Sequence, residues 1–151
     1  MPWGDDESDS RCLELKRRLY DTVEALALSG FTHFISGMAA GCDLYFCEAV
    51  IALRRERPEV TLEAAIPWPG QADRWARPLR LRYRELLDAC DYRTVVQNHY
   101  DSDCLMRRNR YMVDKSSLLI AVSNGTPGGT MNTMLYALRR GLEIVELPID
   151  L

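Results

Sequence analysis

Only two histidines are present, the five cysteines form no C-x-x-C pair, and no H-E-x-x-H, G-x-S-x-G or P-loop lysine occurs. These absences remove the common zinc, thioredoxin-like, metalloprotease, serine-hydrolase and P-loop signatures. No metal centre is therefore expected. Long hydrophobic runs are lacking as well. Leu118–Val122 is a typical apolar stretch, and a membrane-spanning helix needs roughly 20 such residues. No charged-then-apolar leader opens the chain, and no membrane partner is expected. Basic charge is not in excess: 19 Lys and Arg stand against 22 Asp and Glu, which argues against a nucleic-acid footprint. Cys12, Cys42, Cys47, Cys90 and Cys104 are odd in number and mostly sit among apolar neighbours. They read as small buried residues in a reducing, cytoplasmic setting.

What is there is enough for one folded domain. The 151 residues are 47% hydrophobic and 27% charged, which suits a soluble globular chain with a core of its own. A single domain over residues 1–151 is expected, with "MPWGDDESDS" (1–10) as an acidic N-terminal arm. Cys12, Leu15, Leu19, Val23 and Leu26 recur at helical spacing, and Gly30 supplies a stop. Thr32–Ser36 reads as a strand. Asp43 suits the N-cap of a helix running to about Arg55. Thr61–Ile66 is a strand stopped by Pro67, and Leu79, Tyr83, Leu86, Leu87 and Cys90 share a helical face behind Pro78. Tyr92–Val96 is a strand, and Asp103 can cap a helix to about Lys115. Leu118–Val122 reads as a strand buried on both faces. Thr130–Arg140 is a helix with Thr130 as cap and Gly141 as terminator, and Glu143–Leu147 is the last strand.

Strands and helices alternate five times, without repeats or linkers. That pattern predicts a three-layer α/β sandwich, a mainly parallel sheet with helices on both faces. Ligands in such folds bind beyond the carboxyl ends of the strands. Two glycine-rich loops follow strands and fall on that edge. "FISGMAAGCD" places Gly37 and Gly41 between a strand and a helix, either as a tight turn or as a bare backbone facing a phosphate. "NGTPGGTMNT" places Gly128 and Gly129 ahead of Thr130 and Asn132, either as a turn and cap or as an anion-binding helix start. "MRRNRYMVDKS" puts Arg108 and Asn109 near a helix start, as a solvated face or as a phosphate clamp. "PWPGQADRWARP" carries Trp68, Arg74 and Trp75, which either cover the sheet edge or stack on a base. Catalytic signals are thin. His33 lies inside a strand, His99 lacks a third partner, and Glu48 reads as solvated.

The segments "HFISGMAAGCDLYFCEAV", "EAAIPWPGQADRW", "RRNRYMVDKSSLLIAV" and "GGTMNTMLYAL" resemble, in this order, the YpsA-like proteins of the SLOG superfamily. The superfamily groups DprA/Smf-type DNA-processing proteins with the Lonely Guy phosphoribohydrolases. The resemblance implies a Rossmann-like fold and a pocket for a nucleotide or nucleotide-derived ligand, with no other cofactor. Ser36, Gly37, Gly41 and Asp43 would form one wall, and Gly128, Gly129 and Thr130 another. Arg74 and Arg108 would be charge partners, with Trp75, Asn109 and Asn132 nearby.

Two departures from the family pattern carry expectations. Similar members begin with a strand ending in a T-G-H-R-P-like turn ahead of a "PWG" such as Pro2–Gly4, and this strand is lacking here. A first central strand is therefore expected to be missing, leaving a gap between the strands at 32–36 and 92–96 and favouring self-association. The Lonely Guy motif P-G-G-x-G-T with a following glutamate is also not reproduced by "PGGTMNTMLYAL". The sequence reading is thus a cytoplasmic nucleotide-binding sensor or regulator. A nucleotide N-glycosidic hydrolase or transferase, with Asp43 or Glu48 as its carboxylate, and a single-stranded DNA binder are the alternatives, the last disfavoured by charge.

Overall fold

Cys12, Leu15, Leu19 and Val23 all lie buried along one side of α1 (Ser10–Leu28) in the computed structural model, which describes residues 1–149. The other elements are β1 (His33–Ser36), α2 (Cys42–Glu56), β2 (Thr61–Ile66), α3 (Arg77–Ala89), β3 (Tyr92–Val95), α4 (Cys104–Asp114), β4 (Leu118–Ser123), α5 (Gly129–Arg139) and β5 (Glu143–Pro148). The α/β alternation expected from the sequence is present. Ends differ in informative ways. Gly41, at φ 91°, occupies the N-cap of α2, and Asp43 sits inside its first turn. Gly128 rather than Thr130 occupies the N-cap of α5. Asp103 does stand at the N-cap of α4, but its side chain makes no capping bond. At all three helix starts the chain turns by backbone conformation alone, so the side-chain capping rule had nothing to detect.

The sheet is parallel but comes in two pieces. β1, β2 and β3 pair in that order, with His33 opposite Thr61 and Glu63 opposite Tyr92. β4 and β5 form a separate pair, with Leu118 opposite Glu143. The interruption does not lie between β1 and β3, where the sequence reading put it, because β2 pairs with both. It lies between β1 and β4, which together line a cavity of about 660 Å³. This also explains why Leu118, Leu119 and Ile120 are half-buried rather than buried on both faces.

Helices hold the pieces together. Phe34, Leu62, Ala64 and Ile66 pack with Val23 of α1, with Leu44, Val50 and Leu53 of α2, and with Tyr83 and Leu86 of α3. Cys12, Leu15 and Leu19 of α1 join a second cluster with Trp3, Tyr45 and Leu147, against which Ile120 and Val122 pack. One helix therefore spans both sheet pieces. On the opposite face α4 packs on β2 and α5 on β4 and β5. The N-terminal arm is anchored too. Trp3 is buried and its indole N–H donates to Tyr45 Oη at 3.5 Å, while Glu7 pairs with Lys16 and Arg82. Arg82 also pairs with Glu48, which is thus engaged rather than simply solvated.

Leu19, only 1% exposed, lies where the two clusters meet the interruption. Leu19→Ala is expected to lower unfolding free energy by about 2–5 kcal/mol, read from urea denaturation followed by circular dichroism.

Candidate functional site

The loop leaving β1 is fixed from several directions. Ser36 Oγ donates to the Asp43 carbonyl at 3.2 Å and accepts from the Met38 amide at 3.1 Å. The Ala39 amide donates to Asp43 Oδ2 at 3.1 Å. Gln71 Nε2 reaches across from the loop after β2 to the carbonyls of Gly37 and Met38, at 3.4 and 3.3 Å. Met38 is buried at φ 59°, a conformation that a residue with a side chain keeps only under such constraint. Its sulfur receives the Cys47 thiol at 3.3 Å.

Arg108, at the start of α4, is 4% exposed. One of its terminal nitrogens donates to the Gly37 carbonyl, and the same nitrogen approaches Ala65 O at 3.5 Å and Gln71 Oε1 at 3.3 Å. Its Nε donates to Asn109 Oδ1 at 3.0 Å. The guanidinium therefore ties the carboxyl ends of β1 and β2 to α4. Gly37 separates it from Asp43: a Cβ on Gly37 would stand 2.8 Å from Arg108 Cζ and 2.9 Å from Asp43 Oδ2. Burial pushes the Asp43 carboxyl above its ordinary range, with Arg108 and the Ala39 amide opposing it. Burial likewise pulls the Arg108 guanidinium down.

The start of α5 faces this loop across the cavity. Gly128 lies at φ 155° and ψ −162°, a region that glycine alone fills comfortably. The first helical bond runs from the Asn132 amide to the Gly128 carbonyl at 2.9 Å, and no side chain caps the helix. The amides of Gly129, Thr130 and Met131 thus point out of the helix start, and nothing stands within 4 Å of a Cβ placed on Gly129. Thr133 Oγ1 donates back to the Gly129 carbonyl at 2.9 Å.

The structure brings Ser36, Gly37, Asp43, Arg108, Asn109, Gly129 and Thr130 onto one cavity. Gly41 is outside its lining and lies against the Met1 side chain. Gly128 and Asn132 flank it, while Arg74 and Trp75 border a different hollow of about 590 Å³ with Trp68, Gln71 and Tyr100. Trp75 packs edge-on against Tyr83 and Trp68 against Tyr100, at 5.2 and 5.7 Å between ring centres. Two residues escaped the sequence reading. Gln71 was only one letter of a decorated loop. Glu63 is the lone acid in the otherwise apolar run Leu62–Ile66, which was the available signal. Its carboxylate accepts from Tyr111 Oη at 2.6 Å and Thr94 Oγ1 at 3.1 Å, and it pairs with His33 Nε2 at 2.9 Å. Burial raises its pKa, but these hydrogen bonds outweigh burial and hold it below the ordinary carboxylate range.

Parallel strands joined by helices, with glycine loops on the carboxyl edge, define a Rossmann-like α/β protein. Sequence comparison makes this narrower: the model of the YspA SLOG family matches residues 5–150, and the chain belongs to that family. The SPbeta prophage-derived protein YoqJ of Bacillus subtilis is 28% identical over 138 residues, covering 83% of this chain and 81% of that one. The UPF0398 protein BH1768 of Halalkalibacterium halodurans is 26% identical over 129 residues, covering 83% and 68%. The UPF0398 protein YpsA of B. subtilis is 22% identical over 145 residues, covering 95% and 81%. Among the described residues no helix is long and apolar enough to cross a membrane.

Gly37→Ala forces Arg108 and Asp43 apart and is expected to cost about 1–3 kcal/mol, measured by thermal or urea unfolding. Glu63→Gln should cost about 1.5–3 kcal/mol at neutral pH, since hydrogen bonds to a charged acceptor are lost. A carboxyl whose folded pKa is depressed stabilises fully above its unfolded value of 4.5 and loses that contribution as pH falls through the folded value. The deficit of the variant should therefore shrink on acidification below 4.5. Urea titrations of both proteins at several pH values check this.

Proposed function

We propose that this chain is a cytoplasmic ligand-binding module that takes a nucleotide or nucleotide derivative and acts as a sensor or regulator. The carrying observation is the start of α5, where three outward amides without a side-chain cap face the Gly37–Gly41 loop across the cavity. Such a helix start favours an anion of phosphate size. Asp43 faces the same space, and a carboxyl pushed toward its neutral form suits a sugar hydroxyl better than a phosphate. Membership of a SLOG family agrees with this reading. Arg108 enters it as a positioning residue, because its hydrogen bonds go to the protein's own backbone, Gln71 and Asn109.

Isothermal titration with a panel of nucleoside monophosphates and the matching nucleosides tests the assignment. Gly129→Val places a branched side chain in the open space before the helix start. It is expected to weaken monophosphate binding at least about tenfold, a loss of about 1.4 kcal/mol, while leaving the melting temperature within a few degrees. Unchanged affinity in the folded variant removes the phosphate assignment. A second reading, cleavage of an N-glycosidic bond, rests on Asp43 as a carboxyl in the cavity with a raised pKa. It requires release of free base from a monophosphate, lost in Asp43→Asn.

A further inference from the structure

The loop at 67–76, between β2 and α3, is fixed along its length. Pro69 and Gly70 fill the centre of a turn in which the Gln71 amide donates to the Trp68 carbonyl at 3.2 Å. Two further turns follow, from Asp73 N to Gly70 O at 3.0 Å and from Trp75 N to Ala72 O at 3.1 Å. Gln71 ties the middle of the loop to the Gly37 and Met38 carbonyls. Trp75 ties its end, packed edge-on against Tyr83 beside the core.

The open side of this loop faces Tyr100, from the segment between β3 and α4, across the hollow of about 590 Å³. Small-molecule sites span roughly 300–1,000 Å³, and the carboxyl edge of the strands, where this hollow lies, is where α/β sheets bind ligands. The half-buried Trp68 lies against Gly70: a Cβ there would stand 2.1 Å from Trp68 Cζ3 and 2.7 Å from Asp73 Oδ2. Only glycine lets the indole and the carboxylate meet at this spot. Tyr100, 64% exposed, stands edge-on to the indole at 5.7 Å. Neither ring belongs to the two core clusters. Asp73 and Arg74 line the same hollow and are exposed. Among the described residues neither takes part in an ion pair.

These groups describe an occupant. A simple organic cation would meet Arg74, and a simple anion would meet Asp73. A planar heterocycle with N–H donors on one edge and an anionic substituent satisfies all of them. Its ring packs on the aromatic side chains, its N–H groups donate to the acceptor-only carboxylate, and its anion takes the guanidinium.

We propose that the hollow bordered by Trp68, Asp73, Arg74 and Tyr100 is a ligand site of its own, for a planar heterocycle that carries edge N–H donors and an anionic group. Guanosine monophosphate (GMP) has this chemistry. The site shares no lining residue with the cavity beside α5, so it does not rest on the phosphate assignment made there.

The test titrates the full 151-residue chain with GMP and follows the Trp68 indole N–H and the Gly129 and Thr130 amides by NMR. A saturable shift of the Trp68 indole is expected. Gly129 and Thr130 report the other cavity, so failure of either site is read separately. Adenosine monophosphate, whose ring nitrogen on the corresponding edge accepts rather than donates, should bind at Trp68 about tenfold more weakly, and Asp73→Asn should narrow that difference. Arg74→Ala, at an exposed position, should weaken GMP about tenfold and leave guanosine unchanged. An unmoved Trp68 indole, equal affinity for the two monophosphates, a difference between them that survives Asp73→Asn in full, or equal losses of GMP and guanosine in Arg74→Ala overturns the proposal. So does disappearance of the Trp68 shift in Gly129→Val, which would trace it to binding in the other cavity.

Discussion

Everything in this fold depends on the apolar side of α1. A parallel sheet is ordinarily one continuous ladder, and its strands are held in order by main-chain hydrogen bonds. Here the ladder stops at β1 and resumes at β4. What remains to fix one piece against the other is side-chain packing. Leu19 and Val23 supply it on one face, touching the clusters built on β2 and on β5, and α4 with α5 supplies it on the other. Hydrophobic burial is not directional. It fixes distance more firmly than register, so the separation of the glycine loops is set by helix packing and not by strand pairing.

Within the first sheet piece the opposite holds, and polar groups fix geometry closely. Among the described residues no carboxylate forms an ion pair with the buried Arg108, yet its donors meet the Gly37 and Ala65 carbonyls, Gln71 and Asn109. A buried guanidinium is tolerated only when its donors are occupied. The cost of desolvation is turned into a cross-link among β1, β2 and α4. Gly37 is the residue that lets this cross-link and the Asp43 carboxyl approach each other, because no Cβ fits between them.

Much of the fold was legible because it rests on periodicity. The apolar spacing of α1, the runs at Thr61–Ile66 and Leu118–Val122, and the alternation of elements translate directly into the sheet pieces and layers. Helix starts were less legible. At α2 and α5 the cap is a glycine in an unusual conformation, and a capping side chain was the wrong thing to look for. An interruption of the sheet was expected from the family resemblance, but its place was not legible, since pairing order is a tertiary property and β2 took the position between β1 and β3. Around the site, the glycine loops were visible as glycine loops. Arg108 was visible only as a charge. Whether an arginine faces a ligand or its own backbone depends on partners distant in sequence: Gly37 and Ala65 come from two other segments of the chain.

The cavity joins two kinds of surface in one space. Its amino half is lined by strand edges and apolar side chains, and its carboxyl half by loop amides, Asp43 and the start of α5. β1 connects them directly. Ile35 lines the cavity, and its neighbour Ser36 anchors the loop through Asp43 and Met38. The turn that places Gly37 and Asp43 is thus held from within the β1–β2–β3 piece, by Ser36 and by Gln71. The start of α5, which lines the cavity through Gly129, Thr130 and Thr133, follows β4 of the other piece and makes no side-chain capping bond. The two walls of the cavity are therefore carried by separate sheet pieces, and the packing of α1 against both sets the distance between them.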